Sequence, residues 1–233
     1  MGDARSLASQ LLATVDAKAE RFLLGITGPP GAGKSTLALE LAAALAERRA
    51  GGFAVVAPLD GFHLSNETLD SLGLRSVKGA PETFDGAAFV ASVRRLRHEP
   101  DVALLWPDFD RAVERTVPGA ISIGPPAKLV ITEGNYLLLN EPPWREVRAL
   151  LDQVWYVDAP VEVLRRRLIE RQLVGGLSEE GAARHVDESD LRNAELVART
   201  RQLADLTVMG DPGRRFDTTR CLTARRGSHV GSP

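Results

Sequence analysis

The sequence predicts an α/β fold, a doubly wound, mostly parallel sheet with helices on both faces. Three observations carry this. Short apolar runs without polar alternation recur at residues 22–27, 53–58, 128–132 and 154–157, with a weaker one at 205–209, the pattern of strands covered on both faces. Stretches of helical spacing or composition stand between most of them, as crossover connections in a parallel sheet require. No internal repeat and no Gly- or Ser-rich linker divides the 233 residues, so residues 1–210 are expected to form one domain.

Leu7, Leu11, Leu12 and Val15 fall at helical spacing, which predicts an amphipathic leading helix over residues 5–20. Residues 22–27 then run into Gly28-Pro29-Pro30-Gly31, a strand followed by an enforced turn. The Ala- and Leu-rich stretch 34–49 reads as a helix with basic residues in its last turn and 53–58 as a second strand, so the chain opens with a βαβ unit. A further helix is predicted over residues 144–151. Residues 59–126 contain one predicted helix, 86–97, among many Pro, Gly and Asp residues, and are expected to carry substrate-binding insertions. Residues 211–233 are polar, Gly- and Arg-rich and aperiodic, which reads as a loose tail.

Composition excludes several classes. Hydrophobic residues at 44% and charged residues at 26% fit an ordinary soluble globular protein. Twenty-nine basic against thirty-one acidic residues leave a charge of −2 with no long single-sign block, which argues against a nucleic-acid partner. Cys221 is the only cysteine; this rules out an internal disulfide and a thiolate metal cluster and fits a reducing cytoplasm. The most apolar helical run, 37–46, is interrupted by Glu40 and too short to cross a bilayer, so no membrane partner is expected. A homodimer is left open.

The strongest chemical signal is Gly28-Pro29-Pro30-Gly31-Ala32-Gly33-Lys34-Ser35, which fits G-x-x-x-x-G-K-[ST] between a predicted strand and a predicted helix. Glycines let the backbone curl so that successive N–H groups and the positive helix end face the phosphates of a nucleotide. Lys34 is placed to neutralise β and γ oxygens and Ser35 to offer its hydroxyl to Mg2+. No Asn is followed by Lys, against a guanine-reading GTPase. Ile131-Thr132-Glu133-Gly134 lacks the adjacent Asp and Glu usual in transport and motor ATPases, and Gly175-Gly176-Leu177-Ser178 has a transporter signature's letters in the wrong order.

Asp60 directly follows the second strand, at the carboxyl edge from which the phosphate loop also emerges. It reads either as the base that orients an alcohol and accepts its proton, or as a turn residue in Asp60-Gly61. Glu133 ends another strand at that edge, where it either holds Mg2+, directly or through water, or belongs to a surface turn before Gly134. Beyond Asp158 a helix carries Arg165, Arg166, Arg167 and Arg171. At 100° per residue, Val161, Leu164 and Leu168 define its apolar face, Arg171 falls nearly in line with Leu164, Arg167 borders the stripe and Arg166 points away. Arg167 and Arg171 are therefore candidates for clamping transferred charge, against a solvated basic face. Gly175-Gly176 can hinge a closing lid over residues 165–193, with the next helix starting near Ser178. Ser189, Asp190 and Asn193 read as helix caps, surface polar residues or ligand contacts.

With these residues in place, the chain resembles the P-loop small-molecule kinases that include uridine kinase, phosphoribulokinase, type I pantothenate kinase and plant glycerate kinase. It lies nearest a branch described as nucleoside/nucleotide kinase family or fructose transport system kinase-like. The resemblance spans residues 22–209 and rests on ordered segments: 28–36, 58–64, 78–85, 106–111, 117–119, 133–136 and 167–193. It implies a nucleoside-kinase-like architecture with ATP and Mg2+, Thr36 joining the nucleotide-binding loop. By position, Asp60 matches the catalytic aspartate, Glu133 the acidic residue near Mg2+ and the substrate, and Arg167 and Arg171 the lid arginines. Asp85 falls where uridine kinases hold substrate hydroxyls, and Phe109-Asp110 near their base-contacting loop. The histidine those enzymes carry shortly afterwards is absent, since Asp110 is followed by Arg111-Ala112-Val113-Glu114-Arg115. His63 either reaches substrate or packs beside its strand; His98, His185 and His229 lack metal-ligand spacing.

The expected activity is ATP-dependent phosphoryl transfer to an alcohol of a small polar metabolite. Sugar-like or nucleoside-like acceptors come first, and pantothenate- or glycerate-like ones next. The alternative is a nucleotide-binding regulatory or accessory ATPase without a small-molecule acceptor.

Overall fold

In the computed structural model, residues 4–49, 51–110, 113–210 and 216–217 are described; Arg111, Cys221, His229 and most of the 211–233 tail lie outside them. The chain runs α1 (Ala4–Asp16), β1 (Phe22–Thr27), α2 (Lys34–Ala46), β2 (Ala54–Pro58), α3 (Asn66–Leu72), α4 (Gly86–His98), β3 (Leu104–Asp110), β4 (Arg115–Ile123) and β5 (Leu129–Glu133). It continues through α5 (Val147–Leu150), β6 (Gln153–Asp158), α6 (Val161–Val174), α7 (Glu179–His185), α8 (Leu191–Ala198), β7 (Leu206–Gly210) and β8 (Phe216–Asp217). The described main sheet has the order β2-β5-β1-β6-β7-β8, in which only β8 is antiparallel to its neighbour.

The four apolar runs became strands because both faces of the sheet are covered. In β1, Phe22, Leu24 and Ile26 face one core with Leu7, Leu11, Leu37 and Leu41 of α1 and α2, while Leu23 faces the other with Phe89 and Val93 of α4. The alternation of a strand is thus kept, but both sets of side chains are apolar. The leading helix stops at Asp16 rather than residue 20. Lys128 Nζ collects the carbonyls of Lys18 at 2.8 Å and Glu20 at 3.0 Å, drawing the chain out of the helix toward β1. α2 likewise ends before its expected basic last turn. Arg48 instead donates to Ser9 Oγ at 2.7 Å and Arg49 pairs with Asp16, clipping α2 to α1.

Residues 59–126 hold more regular structure than the sequence suggested. α3 is capped by Ser65, whose hydroxyl accepts from Thr68 N at 3.2 Å. β3 and β4 form an antiparallel hairpin whose register shifts between Trp106 and Asp108. Pro107 supplies no N–H to the ladder there, and Pro107, Pro118 and Gly119 hide the strand pattern in the sequence. The hairpin docks through Trp106, fully buried, which donates from Nε1 to Pro58 O at 2.9 Å and meets Phe62 edge-on at 5.0 Å.

Two features of this frame give testable consequences. A Cβ on Gly61 would lie 2.2 Å from Pro107 O, so only glycine lets β3 cross this turn. Gly61→Ala is expected to cost about 1–3 kcal/mol by overpacking, read as a lower urea midpoint with an unchanged slope. Asp152 accepts from Leu23 N and Arg97 Nη2, each at 2.7 Å, and pairs with Lys18. Burial pushes its pKa up, but Lys18, the Leu23 N–H and Arg97 outweigh burial and hold the carboxyl below its ordinary value. A depressed folded pKa contributes stability above the unfolded value and loses it as pH falls through the folded one. Asp152→Asn should therefore be less stable by about 1–3 kcal/mol at pH 7 and lose less on acidification below about pH 4, checked by urea unfolding across pH.

Candidate active site

Three strand ends converge at one edge. β5 lies between β1 and β2, and the register places Glu133 opposite both Ile26 and Pro58. The phosphate loop leaves β1, Asp60 follows β2, and Glu133 closes β5, so their shared level is set by the ladder itself. Gly134 permits the closeness: a Cβ there would lie 2.5 Å from Leu59 Cβ, in the turn that carries Asp60.

The loop has the backbone its glycines allow. Gly31 and Gly33 have φ of 80° and 104°, in the left-handed region. Gly33 is the N-cap of α2, a 13-residue helix, and provides no side-chain cap. Lys34, 7% exposed, lies folded back with Nζ donating to Pro29 O at 2.9 Å. Ser35 Oγ donates to Glu133 Oε1 at 2.9 Å, and Glu133 is 6% exposed. An uncapped helix end suits phosphate, and a hydroxyl beside a carboxylate is a hard oxygen donor set of the kind Mg2+ takes. Among the described residues no group of three or more His, Cys, Asp or Glu comes together as a metal site. Water and phosphate oxygens would complete the shell of a cation here, as at nucleotide-bound Mg2+ sites.

Beside the loop, at the end of β2, Asp60 sits in a one-turn 3-10 helix, Leu59–Phe62, half-buried. It is a turn residue and also stands at the site edge, so the two sequence readings are compatible. His63 packs: its ring lies tilted against Phe84 at 4.0 Å and Phe109 at 4.9 Å between centroids, with Nδ1 2.8 Å from Asp60 O. Asp85 is exposed and caps α4, accepting from Ala88 N at 2.9 Å. Phe109 also carries the Lys78 ammonium 5.2 Å from its ring centre, and Asp110 is exposed opposite Arg115. Tyr136, fully buried, went unrecognised as a site element in the sequence. Its hydroxyl donates to Gly79 O, and burial, then the charges of Glu82, Asp190 and Asp60, raise its pKa.

Helix α6 separates its arginines as the periodicity suggested, with corrections. Leu164 and Leu168 are buried, Leu168 lying under Gly31 of the phosphate loop, but Val161 is 54% exposed. Arg167 Nη1 donates to Gly31 O at 3.1 Å. Arg165 pairs with Asp187 through two bonds of 2.7 and 2.8 Å, and Arg166 lies 3.9 Å from Glu170; these two form the exposed basic face. Arg171 is not in a core position. The helix runs clear of the sheet beyond Leu168, so its last turn is exposed, and Arg171 Nη2 lies 3.5 Å from Asp190 Oδ1. Asp190 and Asn193 are buried rather than surface residues. The signal was present in the spacing of Asp190, Asn193, Ala194 and Val197, one buried stripe of a helix.

No protein-family model matches the sequence. A Schizosaccharomyces pombe protein provisionally named a uridine kinase is 38% identical over 195 residues, covering 81% of this chain and 83% of its own. The uncharacterised Escherichia coli protein YggC is 38% identical over 196 residues, covering 83% of this chain and 80% of its own. A crystal structure from Silicibacter sp. TM1040, provisionally named a fructose transport system kinase, superposes with a TM-score of 0.79 at 39% identity, over 88% of this chain and 98% of that one. The chain belongs to the P-loop small-molecule kinases. The α/β fold is shared with a Bacillus stearothermophilus protein provisionally named a uridine kinase and with a phosphoribulokinase, at 20% and 12% identity. No described helix is long and apolar enough to cross a membrane. For a P-loop kinase, Lys34→Ala should weaken Mg·ATP binding at least tenfold and nearly abolish transfer, measured by calorimetry beside a turnover assay.

Proposed function

We propose that the chain is an ATP-dependent phosphotransferase that moves the γ-phosphoryl group of Mg·ATP to an alcohol of a small polar metabolite. Sugar-like or nucleoside-like acceptors rank first, pantothenate- or glycerate-like ones next, and the proposed setting is the cytoplasm. The observation that carries this reading is the Ser35–Glu133 hydrogen bond at 2.9 Å, beside the strand end that delivers Asp60.

In this mechanism the phosphate loop and the N-terminus of α2 hold the triphosphate, and Lys34 leaves Pro29 O to neutralise its β and γ oxygens. Ser35 and Glu133 would hold Mg2+, which would supply positive charge to offset that of the phosphate oxygens. Asp60 accepts a hydrogen bond from the acceptor alcohol and orients its oxygen in line with the γ phosphorus. As the new oxygen–phosphorus bond forms and the bond to the β-phosphate oxygen breaks, the alcohol proton passes to the Asp60 carboxylate. ADP carries away the negative charge of the broken bond. Arg167 and Arg171 meet charge on the group in transit, and closure of the lid excludes water. Asp85, His63, Phe109 and Asp110 line the side from which the acceptor enters.

The test is ADP release from Mg·ATP with and without a panel of fructose and other sugars, nucleosides, pantothenate, glycerate and sugar phosphates, run beside Asp60→Asn. One compound should stimulate release, and Asp60→Asn should cut that stimulated rate by about 10²–10⁴ while ATP still binds. Release that ignores every compound would favour an ATPase using water. An unchanged rate in Asp60→Asn would remove this residue from the mechanism.

A further inference from the structure

Asp190 is a buried carboxylate to which the reaction outlined above gives no task. It ends a π-helical turn, Val186–Asp190, between α7 and α8, and is 7% exposed. Such turns are rare and are found frequently at functional sites. Its partners among the described residues come from the lid. Gln172 Nε2 donates to Oδ2 at 3.1 Å, Arg171 Nη2 lies 3.5 Å from Oδ1, and His185 Nε2 lies 4.0 Å from Oδ2.

The two ends of the Arg171–Asp190 pair are unlike. The carboxylate side chain is 10% exposed and the arginine side chain 46%. The anchor is thus fixed in the interior, while the guanidinium reaches outward with most of its five N–H groups directed elsewhere than the carboxylate. A carboxylate behind an arginine fixes the direction of the fork and leaves its remaining donors for a second anion. An exposed pair at this distance would have little value, so burial of one partner is what makes the contact directional. Arg171 also follows Arg167 by one helical turn, and Arg167 already rests on the Gly31 carbonyl of the phosphate loop. The same face of α6 therefore looks along the path of the phosphates.

We propose that Asp190 is a positioning residue, which holds Arg171 so that its guanidinium meets the γ-phosphate of the bound nucleotide. This rests on the reading of Arg171 as a charge clamp, and the experiment separates the two. Calorimetry would measure Mg·AMP-PNP against Mg·ADP for the unaltered protein, Arg171→Ala, Asp190→Asn, both together, and Asp190→Glu. The unaltered protein should prefer the triphosphate analogue, and Arg171→Ala should lose about tenfold of that preference, the value of a charged hydrogen bond. Asp190→Asn should lose about three- to tenfold, the double variant no more than Arg171→Ala alone, and Asp190→Glu should retain most of it. If Asp190→Asn weakens both nucleotides alike, or adds its full effect to Arg171→Ala, Asp190 is only structural and the proposal is overturned while the clamp stands. An undiminished preference in Arg171→Ala overturns both. Should Asp190→Asn not fold, Gln172→Ala, which releases the same carboxylate at Oδ2, takes its place, and an equal effect on both nucleotides again overturns the proposal.

Discussion

The parallel pairing of β5 between β1 and β2 is the constraint on which the site depends. Hydrogen-bond register brings Ile26, Pro58 and Glu133 to one level, so the phosphate loop, the Asp60 turn and the Glu133 carboxylate leave the sheet side by side. The Ser35–Glu133 contact then joins the first turn of α2 to the end of β5. A one-residue slip of β5 would carry Glu133 to the opposite face of the sheet, where Thr132 now lies, because side chains alternate along a strand. Burial of β5 on both faces prevents such a slip.

The two faces of the sheet divide the work. On one, α1, α2 and α6 pack on Leu24, Ile26, Leu129 and Ile131, and this layer holds the phosphate loop from below. On the other, an aromatic cluster of Phe62, Phe84, Phe89, Trp106, Tyr136 and Trp144 supports the turn that carries Asp60. Its edge-to-face contacts tie the hairpin to the end of β2, so an insertion that begins immediately after Asp60 is held by the core rather than hanging from it. Rings surround the Asp60 turn on its inner side. His63 belongs to this cluster, which gives the residue a packing role next to the chemistry.

The α6–α7 segment is built differently. Leu164 and Leu168 fasten the first half of α6 to the phosphate loop, whereas Leu173, Val174 and Leu177 are exposed around Gly176, whose φ is 93°. Few apolar contacts hold that tip, the physical condition for a segment that opens at low cost. The arginines follow this gradient: Arg167 rests on the loop backbone, and Arg171, one turn outward, lies 3.5 Å from Asp190 at the α7–α8 junction.

Local pattern alone determined much of this protein. The buried strands, the phosphate loop with its flanking strand and helix, the placement of Asp60 and Glu133 at one edge, and the distinction of Arg167 from Arg166 all follow from apolar runs, glycine spacing and helical periodicity. These are short-range properties, and each residue's neighbours in sequence suffice to express them. The hairpin at residues 104–123 was not legible, because Pro107 breaks its alternation and its stability comes from Trp106 reaching Pro58 and Phe62. Tyr136 was not legible as an interior residue for the same reason, and the helical spacing of Asp190 and Asn193 marks one face without showing that this face is enclosed. A polar side chain enters the interior only when distant elements enclose it, and no local pattern records which elements those will be. Sequence therefore determined the chemistry on offer at the sheet edge, and tertiary packing decided which carboxylate faces which arginine.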